Sequence, residues 1–202
     1  TLTQRLLGIG GRILFAQQRR HLTERDLLRI DQLDADVAWT YGRLLGSHAR
    51  RRWTDRKLES VRYSMSLFVW YFGTNRRYDA VRHHTIMMGP RYRGLLDDIF
   101  SKKVLAEDFS LYLHRPTASD PTLAPPGCDT FYVLSPVPHL GSGVDWPARA
   151  ESYRAAIQAK LESTLLPGLG AAIVTPRITT PPDFRERPLS VPGPAFAREP
   201  WP

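Results

Sequence analysis

The chain has 202 residues, of which 42% are hydrophobic and 24% charged, a composition that is typical of a globular protein and excludes an intrinsically disordered one. Its longest uninterrupted apolar run, residues 67–72, is far shorter than the roughly 20 residues that a membrane-spanning helix needs. Its single cysteine, Cys128, excludes an intramolecular disulfide and a cysteine-based zinc site, and fits a reducing compartment such as the cytoplasm.

The net charge of +8 favours an anionic partner, either nucleic acid or an acidic lipid surface. Only four of the 28 basic residues are lysines, and the arginines are dispersed without a recognition motif, which argues against nucleic acid. Basic residues are densest between positions 50 and 62, namely at Arg50, Arg51, Arg52, Arg56, Lys57 and Arg62. We interpret this cluster either as a solvated helix face or loop, or as a landing patch for anionic lipid headgroups.

The first 62 residues are interpreted as a partial N-terminal region made of a strand, a charged loop and a short helix. Its glycine cluster, residues 8–11, superficially suggests a dinucleotide-binding loop. The dinucleotide fingerprint needs a strand before its glycines and a helix after them, whereas here a strand candidate, residues 12–16, follows the glycines. The glycine cluster is therefore predicted to be a turn, and residues 39–45 are predicted to form the helix.

The aromatic-rich segment 63–73 predicts a strand whose alternate positions are apolar on both faces. One face carries Phe68, Trp70 and Phe72, and the other carries Met65, Leu67, Val69 and Tyr71. Because both faces of such a strand must be covered, we expect it in the middle of a sheet. Further strands are predicted at residues 83–88, 109–113 and 130–134.

Helical spacing of apolar residues predicts two helices, over residues 91–101 and over residues 147–166. Between them, residues 116–128 form a loop with four prolines. A strand over residues 173–178 contains Pro176, which confines it to the edge of a sheet because proline cannot donate a backbone hydrogen bond.

These elements together predict an α+β fold, with a mixed or antiparallel sheet packed on one side by the two helices. The expected organisation is a partial N-terminal region over residues 1–62 and a unit of sheet and helices over residues 63–179. A proline-rich tail over residues 180–202 is expected to be extended or poorly ordered.

Motifs for catalysis or metal binding are weak in this sequence. His83 and His84 are adjacent, so on a strand they would point to opposite faces and could not bind one metal ion together. They are predicted to be structural, as are His114 and His139, and no metal site is expected. The catalytic residues stay unknown, since there is no nucleophile elbow, phosphate-binding loop or paired-carboxylate spacing.

Several strings of sequence, in order, resemble the second half of bacterial-type phytoene desaturases, the FAD-dependent carotenoid desaturases. The resemblance covers about residues 63–184, and its strings are SMSLFVWYFG (64–73), HHTI (83–86), GPRY (89–92), LAEDFSLYLH (105–114), DPTLAPPGC (120–128) and YVLSPVPHLG (132–141). It implies a sheet and helices similar to the substrate domain of FAD-linked amine-oxidase-like oxidoreductases. It also implies that the chain is part of a larger enzyme of carotenoid biosynthesis.

In the resembling family, FAD takes a hydride from a long polyene, and the protein supplies binding, orientation and dry surroundings. The substrate implied is a C30 or C40 polyene delivered from a membrane surface, which makes the intact enzyme cytoplasmic and peripherally membrane-associated. The family's Gly-x-Gly-x-x-Gly unit and its C-terminal flavin segment have no counterpart in these residues. No cofactor-binding residue is therefore assigned, and the chain alone is expected to bind FAD weakly or not at all.

The aromatic residues of the predicted strands have two interpretations, as plain core or as the lining of a tunnel for the polyene. The candidate lining residues are Phe68, Trp70, Phe72, Tyr112, His114 and Tyr132. A rival hypothesis is a truncated, non-enzymatic module that binds a lipid or a partner. The oligomeric state, the number of desaturation steps and the electron acceptor are not determined by the sequence.

Overall fold

The architecture is built on one five-stranded antiparallel sheet. A computed structural model describes residues 54–59 and 63–186 of the chain. The strands are β1 (Ser66–Thr74), β2 (His84–Met87), β3 (Leu111–His114), β4 (Asp129–Val137) and β5 (Ile173–Thr179). They lie in the order β2-β3-β4-β1-β5, and each neighbouring pair is antiparallel. The predicted α+β class and antiparallel pairing are therefore confirmed.

Five described α-helices accompany the sheet. They are α1 (Asp55–Glu59), α2 (Tyr92–Asp97), α3 (Trp146–Thr164), α4 (Leu169–Ala172) and α5 (Pro181–Glu186). The helix predicted over residues 91–101 is confirmed, although it is α-helical only in α2 and continues as a π-helix, Asp98–Lys102. Short 3₁₀ turns occur at Pro116–Ala118, Pro121–Leu123 and Leu140–Ser142.

The long helix α3 begins and ends where its sequence signals indicate. The Asp145 side chain caps it by accepting a hydrogen bond from the Ala148 amide at 3.2 Å, and Pro147 lies in the first turn. Beyond its end, Gly168 adopts a positive φ of 72°, a conformation that glycine adopts without the strain a β-carbon would add. The predicted helix over residues 147–166 is therefore confirmed to within two residues.

Strand β1 lies inside the sheet, as predicted, because it pairs with β4 on one edge and with β5 on the other. The prediction that both of its faces are covered holds only in part. Leu67 and Val69 are buried, but Tyr71 on the same face is 44% exposed. Strand β5 is an edge strand, which is where the proline at position 176 was expected to confine it.

The loop predicted at residues 116–128 is held at its base by a buried ion pair. The Arg115 guanidinium donates to Asp129 at 2.9 Å, and the Thr117 hydroxyl donates to the other carboxylate oxygen at 2.7 Å. Hydrogen bonds from Arg115 to Asp129 and Asp79 raise the pKa of Arg115 although burial opposes the shift. The loop therefore starts and finishes at one fixed point of the sheet.

Two compact units divide the chain, residues 65–182 and residues 1–64 together with 183–202. Most elements predicted before residue 54 lie outside the described residues, including the glycine turn and the helix at residues 39–45. The basic cluster is described only at Arg56 and Lys57, which are exposed on α1. Within the segment expected to be an extended or poorly ordered tail, α5 forms instead, with Pro181 and Pro182 in its first turn, where proline is tolerated.

Candidate functional site

The two faces of the sheet differ in what covers them. We call the face packed against α3 the core face and the opposite face the open face. Side chains on the core face include Phe68, Trp70, Phe72, Leu111, Leu113, Phe131 and Val133. The open face carries Tyr71, Tyr132, Tyr112, His114 and His84, which the strand register brings together on one side.

The core face is a close-packed aromatic layer. Phe68 stacks on Trp146 with ring centroids 5.9 Å apart, and it meets the edge of Tyr153 at 5.1 Å. Phe72 stacks on Phe131 at 5.2 Å, and Trp70 is fully buried. The first three candidate lining residues thus lie in the protein core, beneath the sheet and away from the open face.

Tyr153 of α3 brings a polar group into this layer. Its hydroxyl is hydrogen bonded to the Ser135 hydroxyl at 2.7 Å. Burial raises the pKa of Tyr153 to about 12, because the charged phenolate would lose its hydration there. The side chain is therefore neutral at physiological pH.

Aromatic and imidazole rings form a continuous row across four strands on the open face. Tyr71 of β1 lies 5.9 Å from Tyr132 of β4, measured between ring centroids. Tyr132 in turn lies 4.5 Å from His114 of β3, whose ring stacks on that of His84 of β2 at 5.0 Å. Tyr112 joins the row at 6.0 Å from Tyr132. The other three candidate lining residues, Tyr112, His114 and Tyr132, are neighbours in this row.

Two residues of the row, Tyr132 and His114, have pKa values shifted by their surroundings. Burial, followed by a hydrogen bond with Tyr112, raises the pKa of Tyr132. Burial, followed by the nearby charges of His83 and His84, lowers the pKa of His114. The phenol and the imidazole are both shifted towards their neutral forms, so an apolar ligand would displace no strongly hydrated ion from these two residues.

Three histidines meet at the β2 end of this row, which corrects the sequence-based expectation. His83 precedes β2, so strand alternation does not separate it from His84, and their rings stack at 4.3 Å. The Nε2 atoms of His83 and His114 are 2.6 Å apart. The prediction that His83 and His84 point to opposite faces is therefore wrong. No local sequence signal shows this cluster, because it depends on the pairing of His84 with His114 in the β2–β3 ladder.

The described residues do not fit the pyrophosphate of a dinucleotide. Such a group binds at the N-terminus of a helix, where free backbone N–H groups face it. Helix α3 is the longest of the described helices, and the carboxylate of Asp145 already occupies its N-terminus. None of the described helices is both long and apolar enough to cross a membrane.

Comparison with known proteins finds relatives among bacterial carotenoid enzymes. The chain is 52% identical over 172 residues to a phytoene desaturase (neurosporene-forming) of Rhodobacter capsulatus, an alignment that covers 83% of this chain and 33% of that protein. It is 49% identical over 168 residues to a phytoene desaturase (lycopene-forming) of Pantoea ananas, covering 83% of this chain and 34% of the relative.

A more distant relative is the zeta-carotene-forming phytoene desaturase of Myxococcus xanthus, which is 37% identical over 150 residues, 74% of this chain and 28% of that protein. No protein-family model matches the chain. The chain spans about one third of the length of these relatives.

Proposed function

The chain belongs to the bacterial-type phytoene desaturase family, and we propose that it supplies the polyene-binding wall of a flavin-dependent carotenoid desaturase. The names of its relatives support this proposal, since they describe enzymes that form neurosporene, lycopene or zeta-carotene from phytoene. The open face of the sheet is the observation that carries the proposal at the level of structure.

A long polyene needs a flat and continuous apolar surface, and the open face has that character. The row from Tyr71 to His84 crosses four neighbouring strands, a span of about 14 Å at the usual strand spacing. Partly exposed aromatic groups in a contiguous row are typical of a surface that something else covers. Here we propose the polyene as that covering group.

We propose different roles for the residues on the two faces of the sheet. We assign contact with the polyene to Tyr112, His114 and Tyr132, which lie in the row. Phe68, Trp70 and Phe72 then act from the core face, where their packing against α3 holds the strands of the wall in register. In this way the chain's own residues bind and orient the polyene and exclude water from one side of it.

The proposed desaturation requires a flavin, but we do not propose that this chain binds it. The described residues offer no site for its pyrophosphate, so we assign no residue of this chain to FAD and expect the chain alone to bind FAD weakly or not at all. A sheet with one face covered by a long helix and one open face also supports a similarity to the substrate domain of FAD-linked amine-oxidase-like oxidoreductases.

Polyene binding is tested with the full 202-residue chain. Phytoene in mixed micelles is incubated with the chain, and the phytoene that co-elutes in gel filtration is quantified. We expect Tyr132→Ala and Tyr112→Ala each to weaken binding roughly fivefold to tenfold, because an aromatic contact contributes about 1 kcal/mol beyond its buried area. Tyr92→Ala is the matched control, since Tyr92 is an exposed tyrosine on α2 rather than in the row.

Activity is tested by adding FAD and the dinucleotide-binding part of a phytoene desaturase relative to the same chain. Product carotenoid is expected from the mixture and not from the chain with FAD alone. Conversion by the isolated chain would contradict the assignment of the flavin site to other residues. Phytoene binding without conversion in the mixture would favour the rival non-enzymatic module, and the absence of both would overturn the proposal.

We further propose that the chain associates peripherally with the cytoplasmic surface of a membrane, from which a polyene of this length would be delivered. The basic cluster supports this, since each cation near an anionic surface contributes about 1 kcal/mol to binding. Replacing Arg50, Arg51 and Arg52 by serine should weaken sedimentation with anionic vesicles by roughly a hundredfold at low salt. Equal sedimentation of the variant, or binding that salt does not weaken, would contradict this attachment.

A further inference from the structure

The three histidines at the β2 end of the open face form a group of potential metal ligands. Each of His83, His84 and His114 offers one ring nitrogen, and these nitrogens all lie within 4.8 Å of one another. Imidazole nitrogen is a preferred ligand of zinc, copper and nickel. The resemblance and the relatives' names assign no metal to this part of the chain.

The backbone and two neighbouring side chains hold the rings in place. His84 and His114 are direct partners in the β2–β3 ladder, and the Arg115 amide donates to the His83 carbonyl at 2.9 Å, just beyond that ladder. The Nδ1 atom of His84 is hydrogen bonded to the Tyr112 hydroxyl at 2.5 Å.

The Nδ1 atom of His83 is in turn hydrogen bonded to the Ser119 hydroxyl. A ring held through Nδ1 leaves Nε2 for a metal ion, and histidine ligands are commonly oriented by such an outer hydrogen bond.

The protein's own hydrogen bonds do not satisfy this cluster. The Nδ1 atom of His114 is buried and has no hydrogen-bond partner among the described residues. The Nε2 atoms of His83 and His114 face each other at 2.6 Å, so one of them must carry a proton and the other must not.

We propose that His83, His84 and His114 bind one divalent transition-metal ion, Zn²⁺ being the ion whose chemistry they fit best. Three imidazoles leave the fourth tetrahedral position to water. Nitrogens bound to one zinc ion lie about 3.3 Å apart, so His83 and His114 must separate by less than 1 Å from their present positions, roughly the extent of a side-chain adjustment. Hard cations such as Mg²⁺ prefer oxygen ligands and are excluded by this set.

The ion would add a further link between three segments at this edge of the sheet. These are the start of β2, the end of β3 and, through Ser119, the loop that follows β3. An ion that binds the folded chain alone stabilises it in proportion to the logarithm of its concentration. This inference does not depend on the proposed function, because its test measures uptake of the ion by the chain in the absence of a polyene.

Equilibrium dialysis of the metal-free, 202-residue chain against ZnCl₂ tests the proposal, with the chain produced without a polyhistidine tag. We expect one Zn²⁺ per chain, no uptake from MgCl₂, and a thermal midpoint that rises with Zn²⁺. His84→Ala should weaken Zn²⁺ binding by more than about tenfold and abolish the rise in the midpoint. His84 is exposed, so this variant should fold as the parent does.

His139→Asn is the matched control, because it removes a histidine elsewhere while asparagine can still accept the hydrogen bond from the Gly141 amide. Its Zn²⁺ affinity should equal that of the parent. Cobalt substitution gives a second readout, a visible spectrum of a nitrogen-ligated Co²⁺ without thiolate absorption, which His84→Ala should remove. Uptake that is unchanged in a His83→Ala/His84→Ala double variant, or no uptake by the parent at about 1 mM Zn²⁺, would overturn the proposal.

Discussion

The two faces of the sheet are made from the same strands, but they differ in how far their aromatic side chains are buried. In β1, Phe72 is 2% exposed on the core face, whereas its neighbour Tyr71 is 44% exposed on the open face. In β3 and β4 the same alternation separates buried aliphatic and phenylalanine side chains from the tyrosines and histidines of the row. An aromatic-rich strand can therefore contribute to the core with one face and to a surface with the other. Which face is buried depends on what the rest of the fold packs against it.

The core face supplies stability, whereas the open face is only partly covered, since Leu67 and Val69 are buried there and Tyr71 is 44% exposed. Phe72 belongs to a layer in which each ring contacts another ring, so its removal would leave a cavity. Tyr71 contacts Tyr132 and is otherwise half in solvent. Mutations at matched positions on or near the two faces therefore test this division.

The largest effect is expected for Phe72→Ala. It should lower the free energy of unfolding by about 3 to 5 kcal/mol, because a fully buried phenylalanine loses both its transfer free energy and its packing contacts. The adjacent Tyr71→Ala should lower it by about 1 kcal/mol or less. Urea denaturation of the 202-residue chain measures both, and similar losses at the two positions would contradict the division into a core face and an open face.

A large effect is also expected at the base of the loop that follows β3. Asp129→Ala should lower the free energy of unfolding by about 3 kcal/mol or more, since it leaves the Arg115 guanidinium buried without its main partner. Asp79→Ala is the matched control, because Asp79 contacts the same guanidinium at 2.8 Å but is 70% exposed. The control should lower the free energy of unfolding far less than Asp129→Ala does, because solvent screens an exposed ion pair. If the two variants lost equal free energy of unfolding, burial of the carboxylate would not determine how much the ion pair stabilises the fold.

A smaller effect that depends on pH is expected at Tyr153. Its pKa is about 12 in the folded chain against about 10 in the unfolded chain, so the unfolded chain loses its proton first as pH rises. The stability that this residue contributes is complete below pH 10 and falls between pH 10 and 12, by up to about 3 kcal/mol.

The variant Tyr153→Phe provides the control for this pH dependence. At pH 8 it should be less stable than the parent by about 1 kcal/mol, because the hydrogen bond to Ser135 is lost. That difference should shrink as pH rises above 10, since the variant has no phenol to ionise at this position. A difference that stays constant from pH 8 to pH 11 in urea denaturation would argue against a neutral, buried phenol.

Local sequence signals predict all five strands and the helices α2 and α3 of the described region. Three signals are local, since each is read from residues close together in the chain: the continuous apolar run of residues 67–72, the capping aspartate and proline of α3, and the proline that keeps β5 at an edge. The family was likewise visible in the sequence strings. Local periodicity cannot say which face of a strand is covered, so the lining candidates were drawn from both faces.

Only the tertiary structure decided which distant residues meet. His84 and His114 are thirty positions apart, and the register of one antiparallel ladder makes them partners. Register depends on the pairing of whole strands, and a slip of one residue would turn every side chain to the other face. The row of rings on the open face and the histidine cluster at its end therefore exist only after the strands have paired, whereas the strands and helices themselves are encoded locally.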